Sequence, residues 1–410
     1  MAYLCVAKMG NSIRFNLNTK KLHITLFDGS FKTTPFINRL VKGLIAHGHR
    51  ISIIGFNEHN PNPVPNVTYQ ALGSNASKLK LVLTSIQLAL RSKNIGTIAT
   101  TFKLIINGNR EHLQQQNLRL ALKKLNPDVV HLQWPSLLSW MEPYMPNDQF
   151  KVVLSQRGYH TNVRPFVDEG NFMYLQQWYP KLDGLHSVSK AISVVGKKIG
   201  QPHTQIDHVV YTGLPLDALA YKRKQSKGEP LQLLSVGRPH WKKDYPTALK
   251  ACAELKNKNI DFMYTVVGGK DNEEVLFLIN ELGLQNNVTL IGKITQDQVY
   301  RKMQAADVLL LPSIEEGIAN VAVEAMALGL PVISTDCGGM PELIDHQKDG
   351  WLVPTGNPHA LADAAIHFKN LSLERVNNLT LAARRKVERQ HTVEKMVSDM
   401  EVLYASTINP

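Results

Sequence analysis

The chain has 410 residues, 43% of them hydrophobic and 20% charged, with a net charge of +12. That length exceeds one ordinary core, so two domains are expected, and the composition excludes a disordered chain. Cys5, Cys252 and Cys337 are odd in number and far apart, which gives neither a disulfide framework nor a metal-ligand spacing and points to a reducing compartment.

Residues 1–20 carry Lys8 and Arg14 without a sustained apolar run, so no secretory signal is expected there. No stretch reaches the roughly 18 apolar residues needed to span a bilayer. The expected location is the cytoplasm, or the cytoplasmic face of a membrane.

The first strand is read at Leu22–Phe27, followed by a loop from Asp28 to Pro35 and a helix carrying Phe36, Ile37, Leu40, Val41, Leu44 and Ile45 on one face. Gly48 then stands at the C-terminal cap, and Ile51–Phe56 is the next strand. This β-loop-α-β opening is the start of a parallel sheet. From Ser77 to Lys124 the pattern is helical and basic. Strands resume near 129–132, 152–154, 185–189 and 208–211. A polar stretch at 221–230 marks the linker, within 216–230.

A second, more regular alternation follows. Its strands fall at 231–236, 262–267, 288–291, 308–311, 332–334 and 351–353, with helices near 246–257, 272–282, 296–304, 320–328 and 358–368. The expected fold class is α/β, with doubly wound parallel-sheet domains at 21–215 and 231–375 facing a central cleft. A helical segment from 376 is long enough to cross back to the first domain. Residues 1–20 stay unassigned.

The strongest chemical signal runs from Leu311 to Gly329. Glu316 sits in the loop after a strand, and Glu324 about one turn into the next helix. Gly317, Ile318, Ala319 and Asn320 offer the free amides of a helix N-terminus to sugar oxygens or phosphate. One carboxylate can hold sugar hydroxyls at the helix mouth and the deeper one a ribose diol. Glu324 lies among Val323, Ala325, Met326 and Ala327, a setting that disfavours an unpaired carboxylate. The second constellation is Gly237, Arg238 and Lys243 at a strand end, where two cations can stabilise a departing diphosphate. The chain has no Asp-x-Asp, so a metal-bridged diphosphate site lacks its usual ligands.

Gly237-Arg238…Lys243, Gly268-Gly269, Gly292, Leu311-Pro-Ser313, Glu316-Gly317…Glu324 and Gly338-Gly339-Met-Pro-Glu342 together resemble the retaining GT-B glycosyltransferases of family 4 (glycosyl transferases group 1), of the bacterial surface-polysaccharide type. The resemblance is specific over 231–370 and weaker over 21–215. It implies a nucleotide-diphosphate sugar donor, UDP-linked ahead of GDP-linked, and no cofactor or obligatory metal. It places Arg238 and Lys243 on the diphosphate, Glu324 on the ribose and Glu316 on the sugar. Gly268, Gly292 and Lys293 border the donor, the last two near the base.

In the first domain the loop with Gly29 and Ser30 and the strand with His131 resemble the family's acceptor side. Arg157 stands where the family often has histidine, and it ranks above His160 as the polar group assisting catalysis. His131 alone reads as a satisfied strand-end histidine.

The implied acceptor is a glycan or a lipid-linked sugar in surface-polysaccharide synthesis. The basic helices at 77–124 read either as a face for an anionic membrane or as ordinary helices with solvated lysines. Nucleic acid is set aside, because no zinc spacing, RNP-like motif or helix-turn-helix accompanies the charge. The rivals are a dinucleotide oxidoreductase, a nucleotide-sugar epimerase and a silent carbohydrate-binding protein. Against the first, Asp28-Gly-Ser-Phe-Lys-Thr is not G-x-G-x-x-G, and the second strand ends without an acid for a ribose. Against the last stand Glu316, Glu324, Arg238 and Lys243, all present together.

Overall fold

The computed structural model describes residues 20–409; Cys5 and the reading of residues 1–19 fall outside it. The first sheet has seven parallel strands: β1 (His23–Ser30), β2 (Arg50–Phe56), β3 (Val67–Ala71), β4 (Val129–Leu132), β5 (Lys151–Gln156), β6 (Gly184–Ser187) and β7 (Asp207–Val209), in the order β3-β2-β1-β4-β5-β6-β7. The second has six: β8 (Leu231–Val236), β9 (Phe262–Val267), β10 (Val288–Ile291), β11 (Val308–Leu311), β12 (Val332–Thr335) and β13 (Trp351–Val353), in the order β10-β9-β8-β11-β12-β13.

Central strands such as β2 and β11 are buried at nearly every position, because helices cover both faces of a parallel sheet. Each sheet accordingly has two cores. In the second domain, Leu233, Tyr264 and Phe368 belong to one, and Leu309, Ala325 and Met340 to the other. Strand order reverses between β1 and β4 and again between β8 and β11, so each domain has a topological switch point at the carboxyl ends of those strands.

The edge strand β3 is absent from the sequence reading. Its alternating exposure and the asparagines and prolines before it hide the pattern of a buried strand. The long C-terminal helical segment is two helices, Leu373–Gln390 and Val393–Ile408, broken where Leu214 donates its backbone N–H to His391 O at 2.8 Å. Thr392 caps the second helix through Lys395 N. That helix buries Met396, Val397, Met400, Leu403 and Tyr404 in the first domain's core with Ile24 and Leu44, so the chain's end holds its beginning.

Candidate active site

β8 ends at Val236, and the loop that follows carries Gly237, Arg238 and His240 into a short 3-10 turn, Trp241–Lys243. Asp244 caps the next helix, Tyr245–Asn257, and Tyr245 turns back to donate its hydroxyl to Gly237 O at 2.8 Å. This local lock fixes the stem of Lys243 beside the strand end. Gly268, at the end of β9, closes the same corner: its φ is +95°, and a Cβ there would stand 2.9 Å from Gly237 O.

Across the switch point, the loop after β11 brings Ser313, Glu315 and Glu316 to this corner. Lys243 Nζ lies 2.5 Å from Glu316 Oε1, and Ser313 Oγ donates to the same oxygen at 3.0 Å. The two residues are 73 positions apart in sequence. With Arg238, they line a cavity of about 390 Å³ that also takes His240 and Lys242 from the second domain and Tyr159 and His160 from the first. Arg238 is exposed and makes no ion pair among the described residues. A cavity with cations on one wall, a hydrogen-bonded carboxylate between them and a second domain opposite is suited to a charged, polyhydroxylated ligand.

Gly317, Ile318 and Ala319 lead into the helix Asn320–Leu328, whose N-terminus has no side-chain cap. Gly317 itself is buried in the seam between domains, where a Cβ would meet Val188 of the first domain at 3.1 Å. Behind it, Gly338 and Gly339 press their backbone onto the carbonyls of Glu316 and Gly317 so closely that a Cβ at either would overlap them.

Glu324 occupies the next turn of the helix. Gln296 donates to it at 3.2 Å and Tyr300 at 3.5 Å. Burial raises its carboxyl above the usual range, while the charge of Arg39, on the first domain's helix Pro35–Ala46, pulls the other way. Gly292 and Lys293 follow edge strand β10, whose end takes the Gly268 N–H at Ile291 O (2.9 Å); like Glu324, they are not in this cavity's lining.

On the first domain's side, Gly29 and Ser30 finish β1, and Gly29 lies against Leu137. Arg157 follows β5 and is held between aromatic rings, 4.1 Å from the centroid of Phe36 and 5.7 Å from that of Trp134. It donates to Gln133 Oε1 and to Ser155 Oγ, each at 3.3 Å. Burial lowers its guanidinium to about 9, and Asp28 and Tyr404 counter that fall.

His131, expected among the acceptor-side groups, faces no cleft: it is fully buried. Its ring is bonded to Tyr404 Oη at 2.8 Å and Ser155 Oγ at 2.9 Å, and Ser155 in turn reaches His186 at 2.8 Å. Burial pushes its basicity far down, so it is a neutral strut beneath Arg157, as the satisfied-histidine reading expects. His160 does line the cavity, with its basicity lowered by burial, Arg164 and Lys242.

Sequence reading passed over four residues here. Asp28 is buried and lifted to about 7 by that burial, against the pull of Trp134 and Arg157. Glu315 takes a hydrogen bond from Asn162 across the domain seam and lies 3.9 Å from Lys242. Arg39 projects from a helix whose other face is core, and nothing in its spacing separates it from a solvated arginine. Glu342 links the domains: it accepts from the backbone of Lys190 and Ala191 and from the Tyr211 hydroxyl. Glu342 stood in the quoted motif, but its partners lie about 150 residues away.

Asp28 gives a pH test. Between about pH 4 and 7 the unfolded chain has released this proton and the folded chain still holds it. The group's stabilising contribution is therefore whole below pH 4 and is lost as pH rises through 7. The stability of wild type relative to Asp28→Asn should fall by roughly 2–3 kcal/mol between pH 5 and 7.5, measured by urea unfolding. A difference that is flat with pH would refute the assignment.

Residues 219–386 match the family described as glycosyl transferases group 1. The amylovoran biosynthesis glycosyltransferase AmsK of Erwinia amylovora is 34% identical over 54% of this chain and 58% of that protein. The putative colanic acid biosynthesis glycosyltransferase WcaL of Escherichia coli is 33% identical over 50% of this chain and 52% of that protein. The chain thus spans a little over half the length of these curated relatives. Anabaena Alr3699/HepE, solved in complex with UDP-glucose, superposes with a TM-score of 0.69 over 94% of this chain and 100% of that one, at 16% identity. Residues 219–386 thus match the glycosyl transferases group 1 family, and the two parallel-sheet domains have the GT-B fold.

Proposed function

We propose that this protein is a retaining glycosyltransferase that moves a sugar from a nucleoside-diphosphate donor to a glycan or lipid-linked acceptor in surface-polysaccharide synthesis. The observation that carries the reading is the convergence of Arg238, Lys243 and Glu316 on one cavity facing Tyr159 and His160. Arg238 and Lys243 hold the diphosphate, Glu316 orients the sugar, and Glu324 takes the ribose hydroxyls. The bond from the anomeric carbon to the phosphate oxygen breaks as the acceptor oxygen bonds the same face of that carbon, and the acceptor proton passes to the departing phosphate. Arg157, in its aromatic clamp, supports the acceptor side. The names of AmsK and WcaL support the polysaccharide setting, and the UDP-glucose held by Alr3699/HepE supports a UDP-sugar. A lipid-linked acceptor places the protein at the inner face of a membrane, with residues 77–124 as the contact.

The test is a panel of UDP-, GDP- and ADP-sugars with purified protein. One donor should release its nucleotide slowly, and release should persist in EDTA. Among the described residues no group of three or more His, Cys, Asp or Glu is placed to hold a metal. Turnover abolished by EDTA and restored by manganese would overturn the metal-free mechanism. A sugar isomerised without nucleotide release would make the protein an epimerase.

A further inference from the structure

The 3-10 turn after β8 carries an indole that the donor cavity does not use. Trp241 is 53% exposed, and it is absent from the lining shared by Arg238, Lys243 and Glu316. The backbone beneath it is nevertheless fixed. Asp244 donates its N–H to Trp241 O at 3.2 Å, Lys243 to His240 O at 2.7 Å, and Ile314, from the loop after β11, to Lys242 O at 2.7 Å. The His240 ring lies 5.7 Å from the Trp241 ring, tilted by 34°. A large aromatic face held in water by a pinned turn forgoes the stabilisation its burial would bring.

Trp241 forms a wall of a second cavity, of about 270 Å³, between the starts of the helices Tyr245–Asn257 and Glu273–Glu281. His240 lines both cavities, so the two adjoin. Their chemistry differs. The first holds Arg238, Lys242 and Lys243, whereas no lysine or arginine lines the second, which carries Asp244, Asn272 and Glu274. Asp244 and Asn272 each commit one side-chain oxygen to a helix cap, Asp244 to Thr247 N and Asn272 to Val275 N. The other Asp244 oxygen, the Asn272 amide nitrogen and the Glu274 carboxylate have no protein partner among the described residues.

We propose that this second cavity binds neutral sugar residues of a glycan, stacked on the Trp241 indole and hydrogen-bonded through their hydroxyls to Asp244, Asn272 and Glu274. The C–H face of a pyranose carries partial positive charge and suits the negative face of an aromatic ring, and its hydroxyls donate to carboxylate oxygens. Free carboxylates beside the indole repel phosphate and uronate groups, so the cavity is no second nucleotide site. Two acids are also short of a metal's ligand set, and no group of three or more His, Cys, Asp or Glu stands there among the described residues. Adjacency through His240 makes the occupant a chain, with one sugar near Glu316 and the next on Trp241. Its role as the acceptor rests on the transferase reading; sugar binding by the cavity does not.

The experiment titrates the full chain with neutral trisaccharides of glucose, galactose and mannose, and with trigalacturonic acid, following heat and tryptophan emission. At least one neutral trisaccharide should bind and shift the emission to the blue, and trigalacturonic acid should bind at least tenfold more weakly. Trp241→Ala should lose at least tenfold of the affinity, Trp241→Phe should lie between because it keeps a ring, and Glu274→Gln should lose at least threefold. All three should keep the wild-type thermal melt and UDP affinity. With the trisaccharide as acceptor, Trp241→Ala should raise its KM at least tenfold with kcat little changed. Trisaccharide binding without any transfer in wild type would sink the transferase reading and leave the cavity's assignment standing. No binding of any neutral trisaccharide, undiminished affinity in Trp241→Ala, or tighter binding of trigalacturonic acid would overturn the proposal.

Discussion

Glu316→Gln should lower turnover of the nucleotide sugar by about 10²–10³-fold while leaving nucleotide affinity nearly unchanged. The substitution keeps the shape and the possibility of a hydrogen bond from Ser313, but it removes the charge that pairs with Lys243 at 2.5 Å. In the proposed reaction that charge orients the sugar and faces the electron-poor anomeric carbon, so its loss appears in kcat. Lys243→Ala should behave differently. Its ammonium neutralises the diphosphate both when bound and when leaving, so nucleotide affinity and turnover should fall together. Removing it also leaves Glu316, with a side chain 15% exposed, without its cation. Isothermal titration with the nucleoside diphosphate and steady-state rates for both variants make the comparison. Near-wild-type rates in both would refute the assignment.

The second large effect is expected at Glu342, far from any reacting atom. Its carboxylate accepts from Lys190 N at 2.9 Å, Ala191 N at 2.8 Å and Tyr211 Oη at 2.9 Å, all in the other domain. Ser189 already caps the helix Lys190–Ile199 through Ile192 N, so Glu342 satisfies the two amides that Ser189 does not. On its other side, the same short segment carries Gly338 and Gly339, which back the loop of Glu316 and Gly317. One carboxylate therefore ties the position of the second domain to the geometry of the loop that carries Glu316.

Glu342→Ala should cost about 2–3 kcal/mol, since it strands two part-buried donors, Ala191 N and Tyr211 Oη, and frees the exposed Lys190 N. It should also split a single thermal transition into two as the domains uncouple. Turnover should fall at least tenfold through kcat, because the nucleotide's own contacts remain. Glu342→Gln retains an acceptor oxygen and should lie between. A single unshifted transition would remove the link from the account.

The site's composition was largely readable in the chain, but its assembly was not. Glu316, Arg238 and Lys243 were found because loops at strand ends that hold glycine beside charge are uncommon in a purely structural segment. Their 2.5 Å contact depends on β8 and β11 being neighbours at the switch point, a pairing between strands about 75 residues apart that no local pattern encodes. His131 and Asp28 differ by environment alone. Both are strand-end polar residues in the sequence. One is drawn into a neutral hydrogen-bonded chain, and the other is held near Arg157 with its proton retained to about pH 7.

By itself the sequence determined the two-domain α/β architecture and the charged, glycine-bearing loops at the strand ends of the second domain. Hydrophobic period and glycine placement are local properties, and parallel strands buried on both faces write them plainly. The tertiary structure alone decided which charges meet, which polar groups lose water, that Glu342 spans the domains, and that the helix Ile95–Ile106 buries Thr101 while leaving Ile95 and Ile106 exposed. Each of those depends on what a distant segment places opposite, and desolvation and pairing energies exist only once that neighbour has arrived.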